Sequence, residues 1–276
     1  MQAQQFIQTW QTPPRPLVMG VVNVTPDSFS DGGQFFSPQA ALEHAQRLIE
    51  EGADILDIGG ESSRPGAPAV SVEEELRRVV PVIEAALKFG KPISVDTTKA
   101  EVMRVASQLG VAMLNDIAGF RQPDTFAAAT ESTCALCVMH MQGAPQTMQQ
   151  APQYGDVVSE VRDYLSSQAQ QLRQAGVAAE RIYLDPGFGF GKTLDHNLAL
   201  LRGLPQLRAV GYPLLIGVSR KSMIGALTGQ PVEQRVAGSL AAALYAAQAG
   251  ASIIRTHDVA ATVDALKVWA AIEKTE

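Results

Sequence analysis

Eight short apolar runs, separated by longer amphipathic segments, set the strongest limit on how this chain can fold. The runs are Leu17 to Asn23, Asp54 to Ile58, Pro92 to Asp96, Ala112 to Asn115, Ala135 to Met139, Ile182 to Asp185, Leu214 to Val218 and Ser252 to Thr256. Each has the length of a strand and is too short for a buried helix. Between them, PQAALEHAQRLIEEG, SVEEELRRVVPVIEAALKFG, AEVMRVASQLG, VVSEVRDYLSSQAQQLRQAG and VEQRVAGSLAAALYAAQAG repeat apolar residues at helical spacing and end at a glycine, where a helix C-cap takes positive φ. Strand and helix in alternation build a parallel sheet. Eight such units close into an α/β fold of the single (β/α)8 type, a TIM barrel. A doubly wound open sheet is the alternative, but it more often shows a strand-linked GxGxxG or fewer strands.

The chain has 276 residues, close to the roughly 250 of one such barrel. No serine, proline or charge run is long enough to be a linker, so one domain is expected over 1–276, with 1–16 as an N-terminal extension. A net charge of −6 and a pI near 5.3 argue against a nucleic-acid surface, which clusters Lys and Arg. An anionic ligand must therefore be met locally. The N-terminus has no basic n-region, and no apolar stretch approaches the roughly 20 residues of a membrane span, so a cytoplasmic protein without a membrane partner is expected. Cys134 and Cys137 form a lone CxxC. Strand alternation would point them to opposite faces, which suits two small core residues better than a redox pair or half a zinc site.

In a barrel of this kind, the C-terminal strand ends carry the chemistry. Here those ends bring Asn23; Glu61, Ser63 and Arg64 in GGESSRPG; Asp96; Asn115 and Asp116; His140; Asp185 before PGFGFGK; Arg220 and Lys221; and Arg255, His257 and Asp258. Asp96, Asn115 and Asp185 could read the donor edge of a flat heterocycle, because a carboxylate accepts parallel N–H bonds from such an edge. Lys221 could meet a ring carbonyl or nitrogen. Taken alone, Asp96 could instead cap the helix that follows it. Arg255 and His257 alternate on the last strand, and with Asn23 beside them they form a corner suited to a diphosphate. Asn23 would supply an oxygen to a hard divalent ion bridging it. PGFGFGKT fits neither the Walker pattern nor GxGxxG, so its glycines let backbone approach a flat ligand or bend a loop.

Taken in order, NVTPDSFSDGG, DIGGESSRPGA, SVDTTKAEVM, LNDI, LDPGFGFGKT, GVSRKSMIG and IIRTHD resemble the motif set of bacterial dihydropteroate synthases. The resemblance runs from about Leu17 to Val259. It implies a folate-pathway transferase, a sulfonamide target, that joins 6-hydroxymethyl-7,8-dihydropterin diphosphate to 4-aminobenzoate, with Mg2+ and usually as a homodimer. By motif, Asp96, Asn115, Asp185 and Lys221 bind the pterin; Asn23, Arg64, Arg255 and His257, with the metal on Asn23, bind diphosphate. Ser63, Arg64, Pro65, Phe190, Lys221 and Ser222 line the 4-aminobenzoate pocket, and Asp27, Ser28, Phe29 and Asp31 belong to a loop lid. Of these, Asp96, Asp185, Lys221, Arg255 and His257 are the expected catalytic groups. Threonine is common in the family where this chain has Ser63; serine keeps the hydroxyl and loses a methyl. The expected mechanism is a dissociative substitution. A corrinoid-linked methyltransferase barrel would share the pterin carboxylates without needing a diphosphate clamp, and a non-catalytic paralogue would be expected to lose the clamp or Lys221.

Overall fold

The computed structural model describes residues 15–25, 38–62, 67–143, 147–149 and 151–273. Eight strands occur: β1 (Leu17–Asn23), β2 (Ile55–Gly59), β3 (Ile93–Asp96), β4 (Met113–Asp116), β5 (Ala135–Met139), β6 (Ile182–Asp185), β7 (Leu215–Ile216) and β8 (Ile253–Thr256). Every pairing is parallel, in the order β6-β5-β4-β3-β2-β1-β8-β7. A parallel bridge between Leu184 and Leu214 joins the two ends of that order, and the Leu184 N–H donates to Pro213 O at 2.9 Å. The expected (β/α)8 barrel is therefore what forms. β7 is shorter than the expected run: Leu214 forms an isolated bridge to Leu184, and the ladder with β8 ends at Ile216.

Helices cover the outside: α1 (Pro38–Glu50), α2 (Val72–Ala86), α3 (Ala100–Leu109), α4 (Pro123–Glu131), α5 (Val157–Gln174), α6 (Leu194–Arg202), α7 (Leu204–Arg208), α8 (Ser222–Thr228), α9 (Val236–Gln248) and α10 (Val259–Glu273). Side chains are sorted by the two-residue period of a strand. Val18, Val22, Leu56, Ile58, Val95, Leu114, Leu136, Leu184 and Ile254 face outward into the core beneath the helices. Met19, Ile55, Met113, Ala135, Cys137, Tyr183, Leu215 and Ile253 fill the barrel interior. Cys134 joins the outer core and Cys137 the inner one, both as free thiols, so the CxxC serves packing on two faces. The helical segments that end in glycine do so with positive φ at Gly52, Gly90, Gly110, Gly176 and Gly250. The segment VEQRVAG begins as a separate 3-10 turn at Val232–Gln234 before α9 starts. Arg15, inside the expected N-terminal extension, is bound to Asp54 at 2.7 Å. No helix among the described residues is long and apolar enough to cross a membrane.

PGFGFGK bends rather than cradles. Gly187, Gly189 and Gly191 have φ of 69°, 78° and 63°. A β-carbon on Gly187 would come within 1.9 Å of His140 O. Lys192, almost fully buried, fastens the loop: its ammonium donates to Gly187 O at 2.9 Å and Phe190 O at 3.0 Å, and lies 3.0 Å from His140 Nδ1.

Gly187 and Gly90 share a left-handed φ, but nothing lies within 4 Å of a β-carbon at Gly90. Gly90→Ala should cost only the strain of that φ, about 1 kcal/mol. Gly187→Ala adds a backbone clash and should cost roughly 3 kcal/mol or more. Urea denaturation of the two variants measures the difference.

Candidate active site

The inward positions that carry hydrocarbon at the bottom of the barrel carry polar groups at the top. Asp57 on β2, Ser94 and Asp96 on β3, Asn115 on β4, Asp185 on β6 and Arg255 on β8 continue the inward series of their strands. Register places Asp57 beside Ser94 and Asp96 beside Asn115, so four of these groups form one patch on three neighbouring strands. Asp57 is 0% exposed and Asn115 4%.

Arg255 crosses to this patch. Its Nε donates to Asp57 Oδ2 at 2.6 Å and its Nη2 to Asp96 Oδ2 at 3.0 Å, while Asn115 Nδ2 donates to the same Asp57 oxygen at 3.4 Å. The pairing also answers the capping alternative for Asp96. The N-cap of α3 is Lys99, and it is Thr97 Oγ1 that accepts the Lys99 N–H, at 3.2 Å. Asp185 accepts the Gly187 N–H at 2.7 Å. The Lys221 ammonium sits 4.2 Å from the centre of the Phe190 ring. Phe190 packs with Ile117, Met139, Met141 and Met148 into an apolar wall. Beside Asp96 the mouth opens into a cavity of about 270 Å³, bordered by Glu61, Val70, Thr97, Lys99 and Ile117.

Burial governs the electrostatics. It raises the Asp185 carboxyl to about 6, against the pull of the Gly187 N–H and Lys221. It raises Asp96 as well, with Arg255 opposing and Asp57 adding to the rise. It lowers Lys221 to about 8, helped by Arg255 and resisted by Asp185 and Asp96. Three buried atoms of the patch, Asp57 Oδ1, Ser94 Oγ and Asn115 Oδ1, have no hydrogen-bond partner among the described residues.

The sequence-predicted residues divide into groups. Asp96, Asn115, Asp185, Lys221, Phe190 and Arg255 line the mouth. Asn23 ends β1 at the rim, half-buried. His257 lies just beyond β8, its ring nitrogen Nδ1 3.1 Å from Ser219 Oγ. Ser222 is exposed at the first turn of α8. The sequence pattern groups Arg255 with His257 and Asn23 at the rim; its guanidinium lies deeper, on the carboxylates. Asp27, Ser28, Phe29, Asp31, Ser63, Arg64 and Pro65 fall outside the described residues. Two polar strand ends serve the framework: Asp116 faces outward and accepts the Ala118 and Phe120 N–H groups at 2.8 and 2.7 Å, and His140 is bound to Lys192. Asp57 was missed altogether. Its one sequence signal was a carboxylate inside an apolar run, at the inward parity of Ile55.

The raised Asp185 carboxyl makes a prediction with a definite sign. The folded protein keeps a proton there that the unfolded chain releases between 3.8 and about 6, so the group lowers stability as pH rises through that window. Asp185→Asn should therefore be more stable than the parent by roughly 3 kcal/mol above pH 7. The gain should vanish near pH 4. Thermal melts of both proteins at pH 4 and pH 8 measure it.

A sequence profile described as pterin binding enzyme matches residues 19–257. A dihydropteroate synthase of Haemophilus influenzae is 51% identical over 257 residues, covering 93% of this chain and 94% of its own. Among solved structures, the Xanthomonas albilineans dihydropteroate synthase with 4-aminobenzoic acid superposes at a TM-score of 0.90, with 54% identity over 95% of this chain and 94% of that one. The Burkholderia cenocepacia dihydropteroate synthase complexed with 7,8-dihydropteroate gives 0.86, with 55% identity over 94% and 91%. A buried layer of carboxylates, amide and guanidinium at the mouth of a (β/α)8 barrel, matched over nearly the whole chain, shows that this protein belongs to the dihydropteroate synthase family of pterin-binding enzymes.

Proposed function

We propose that the dihydropteroate synthase reaction, condensation of 6-hydroxymethyl-7,8-dihydropterin diphosphate with 4-aminobenzoate, runs in this chain as a dissociative substitution at the polar layer of the barrel mouth. The observation that carries the reading is the set of unpartnered atoms Asp57 Oδ1, Ser94 Oγ and Asn115 Oδ1 beside Asp96 and Asp185. A buried polar atom without a partner costs about 1–3 kcal/mol, and a pterin edge carrying N–H donors and a carbonyl recovers that cost. The wall of Ile117, Met139 and Phe190 then takes the flat face of the ring, and Lys221 beside Phe190 takes a ring heteroatom.

The aromatic amine is a weak nucleophile, so the main barrier is departure of diphosphate. The bond from the exocyclic methylene to the phosphate oxygen breaks, and its electron pair leaves with diphosphate. The electron-rich dihydropterin carries the resulting positive charge, which the carboxylates of Asp96 and Asp185 stabilise electrostatically. The amine nitrogen then bonds the methylene, and its proton passes to the released diphosphate or to water. His257 at the rim and the remaining N–H donors of Arg255 receive the leaving diphosphate. The donor chemistry at the rim suits magnesium: Asn23 offers a neutral amide oxygen, and among the described residues no three His, Cys, Asp or Glu side chains are grouped so as to hold a metal ion by themselves. That pattern fits an ion bound mainly through water and substrate phosphates. Bound there, the ion would neutralise the charge developing on diphosphate.

We also infer a cytoplasmic homodimer. Leu227, Val232, Tyr245, Val268 and Ile272, all on or next to α8, α9 and α10, are exposed large apolar side chains. Such residues favour burial against a second copy. Sedimentation at micromolar concentration should give twice the 29.4 kDa chain mass.

Diphosphate release from the pterin substrate should require the enzyme and rise strongly on adding 4-aminobenzoate; absence of release with both substrates and magnesium would sink the reading. The division of labour is testable by calorimetry. His257→Ala should weaken inorganic diphosphate by roughly tenfold and leave a phosphate-free pterin unaffected, whereas Asp96→Asn should do the reverse. Equal losses for both ligands in both variants would dissolve the distinction between the two subsites.

A further inference from the structure

The residue before Lys221 is held in an unfavourable backbone conformation by contacts that leave the barrel mouth untouched. Arg220 has φ of +56°, a region costly for a side-chain-bearing residue and maintained only where the surroundings enforce it. Four contacts enforce it here. The Arg220 N–H donates to Ser239 Oγ of α9 at 2.9 Å, and Arg220 O accepts from Arg235 Nη1 at 3.1 Å. The Arg220 guanidinium grips Asp258 with both edges of a fork, Nε to Oδ2 at 3.0 Å and Nη2 to Oδ1 at 2.5 Å. Gly225 of α8 leaves room for the Arg235 guanidinium: a β-carbon there would lie 2.3 Å from Arg235 Nη2. The same two loops are joined a second time, since the His257 N–H donates to Ser219 Oγ at 3.1 Å. The end of β7 is thus fastened to the end of β8 and to α9 around a single peptide, and the next side chain is the ammonium lying over Phe190.

We propose that Arg220, Asp258 and Arg235 form a latch whose role in the reaction is to position Lys221. A fixed left-handed turn at Arg220 sets the direction in which the Lys221 side chain leaves the backbone. A lysine otherwise brings several free torsions to the site, and holding its first bonds lowers the entropy lost when it meets the pterin. Arg is required in the latch because a bidentate fork fixes orientation where a lysine would supply only charge. Arg220 and Asp258 are positioning residues. The inference rests on the assignment of Lys221 to the pterin, so its test must separate the two.

The test is a double-mutant cycle on kcat/KM, with melting temperatures recorded for each variant. Asp258→Asn, nearly isosteric, and Arg220→Ala should each lower kcat/KM by roughly ten- to a hundredfold, the scale of a catalytic group displaced by about 1 Å. Arg220→Lys should not recover the loss, whereas the exchange Arg220→Asp with Asp258→Arg should recover most of it, because Asp tolerates left-handed φ and the fork is re-formed in reverse. In a Lys221→Ala background, Asp258→Asn should cost less than about twofold more, because the two changes act through one group. If the losses multiply in both backgrounds, the pair is framework and the latch is overturned while Lys221 keeps its role. If Lys221→Ala alone leaves kcat/KM unchanged, the assignment of Lys221 fails and the latch falls with it.

Discussion

The bridge from Arg255 to Asp57 and Asp96 is the interaction on which the mouth of the barrel depends. Three carboxylates, Asp57, Asp96 and Asp185, project into a space closed by eight strands. Without a cation among them their mutual repulsion and desolvation would neutralise or expel them. Arg255 enters from β8 and reaches across β1 to β2 and β3, a span that the inward curl of these four neighbouring strands permits. The hydrocarbon plug beneath, from Met19 to Ile253, supplies a dry floor that strengthens the bridge by keeping water from below. Fold and chemistry meet in that one guanidinium, which makes the carboxylates bearable.

Much of this was legible in the sequence, for a definite reason. Strands buried on both faces must be apolar almost throughout, so each run announced itself, and the residue at which the run turned polar marked the strand end. Asp96, Asn115, Asp185 and Lys221 were readable in that way. Asp57 was not, because it stands inside its run with Ile58 and Gly59 still to come. A charge at that depth is tolerable only with a partner, and Arg255 lies 198 residues away. Periodicity reports which face a side chain occupies; it does not report which other strands share that face.

The opposite failure is as informative. Asp116 ends its strand and His140 follows its own, as site residues would, and PGFGFGK has the composition of a ligand loop. Each is occupied in holding backbone: Asp116 caps the turn to Phe120, and Lys192 gathers carbonyls of the glycine loop against His140. Burial lowers Lys192 to about 7 and His140 to about 3, with the neighbouring Lys192 charge adding to the fall at His140. Those shifts are as large as any at the mouth, yet they arise from packing a loop. A displaced pKa therefore locates a buried ionisable group, and only the direction of its free lone pairs and protons says whether it serves a ligand.

That criterion separates the two ends of β5 and β6 from the patch on β2, β3 and β4. Around Lys192 the polar atoms satisfy one another. Around Asp57 they do not: one oxygen of Asp57, the hydroxyl of Ser94 and the amide oxygen of Asn115 are buried and find no partner among the described residues. Such a set lowers stability in the free protein, and a sequence could remove it with a few aliphatic substitutions. The grouping of its atoms on three adjacent strands at the barrel mouth marks the patch as shaped for a ligand. Rigid strands on all sides prevent these groups from relaxing toward each other, so the unmet hydrogen bonds remain available until a heterocycle of matching edge arrives.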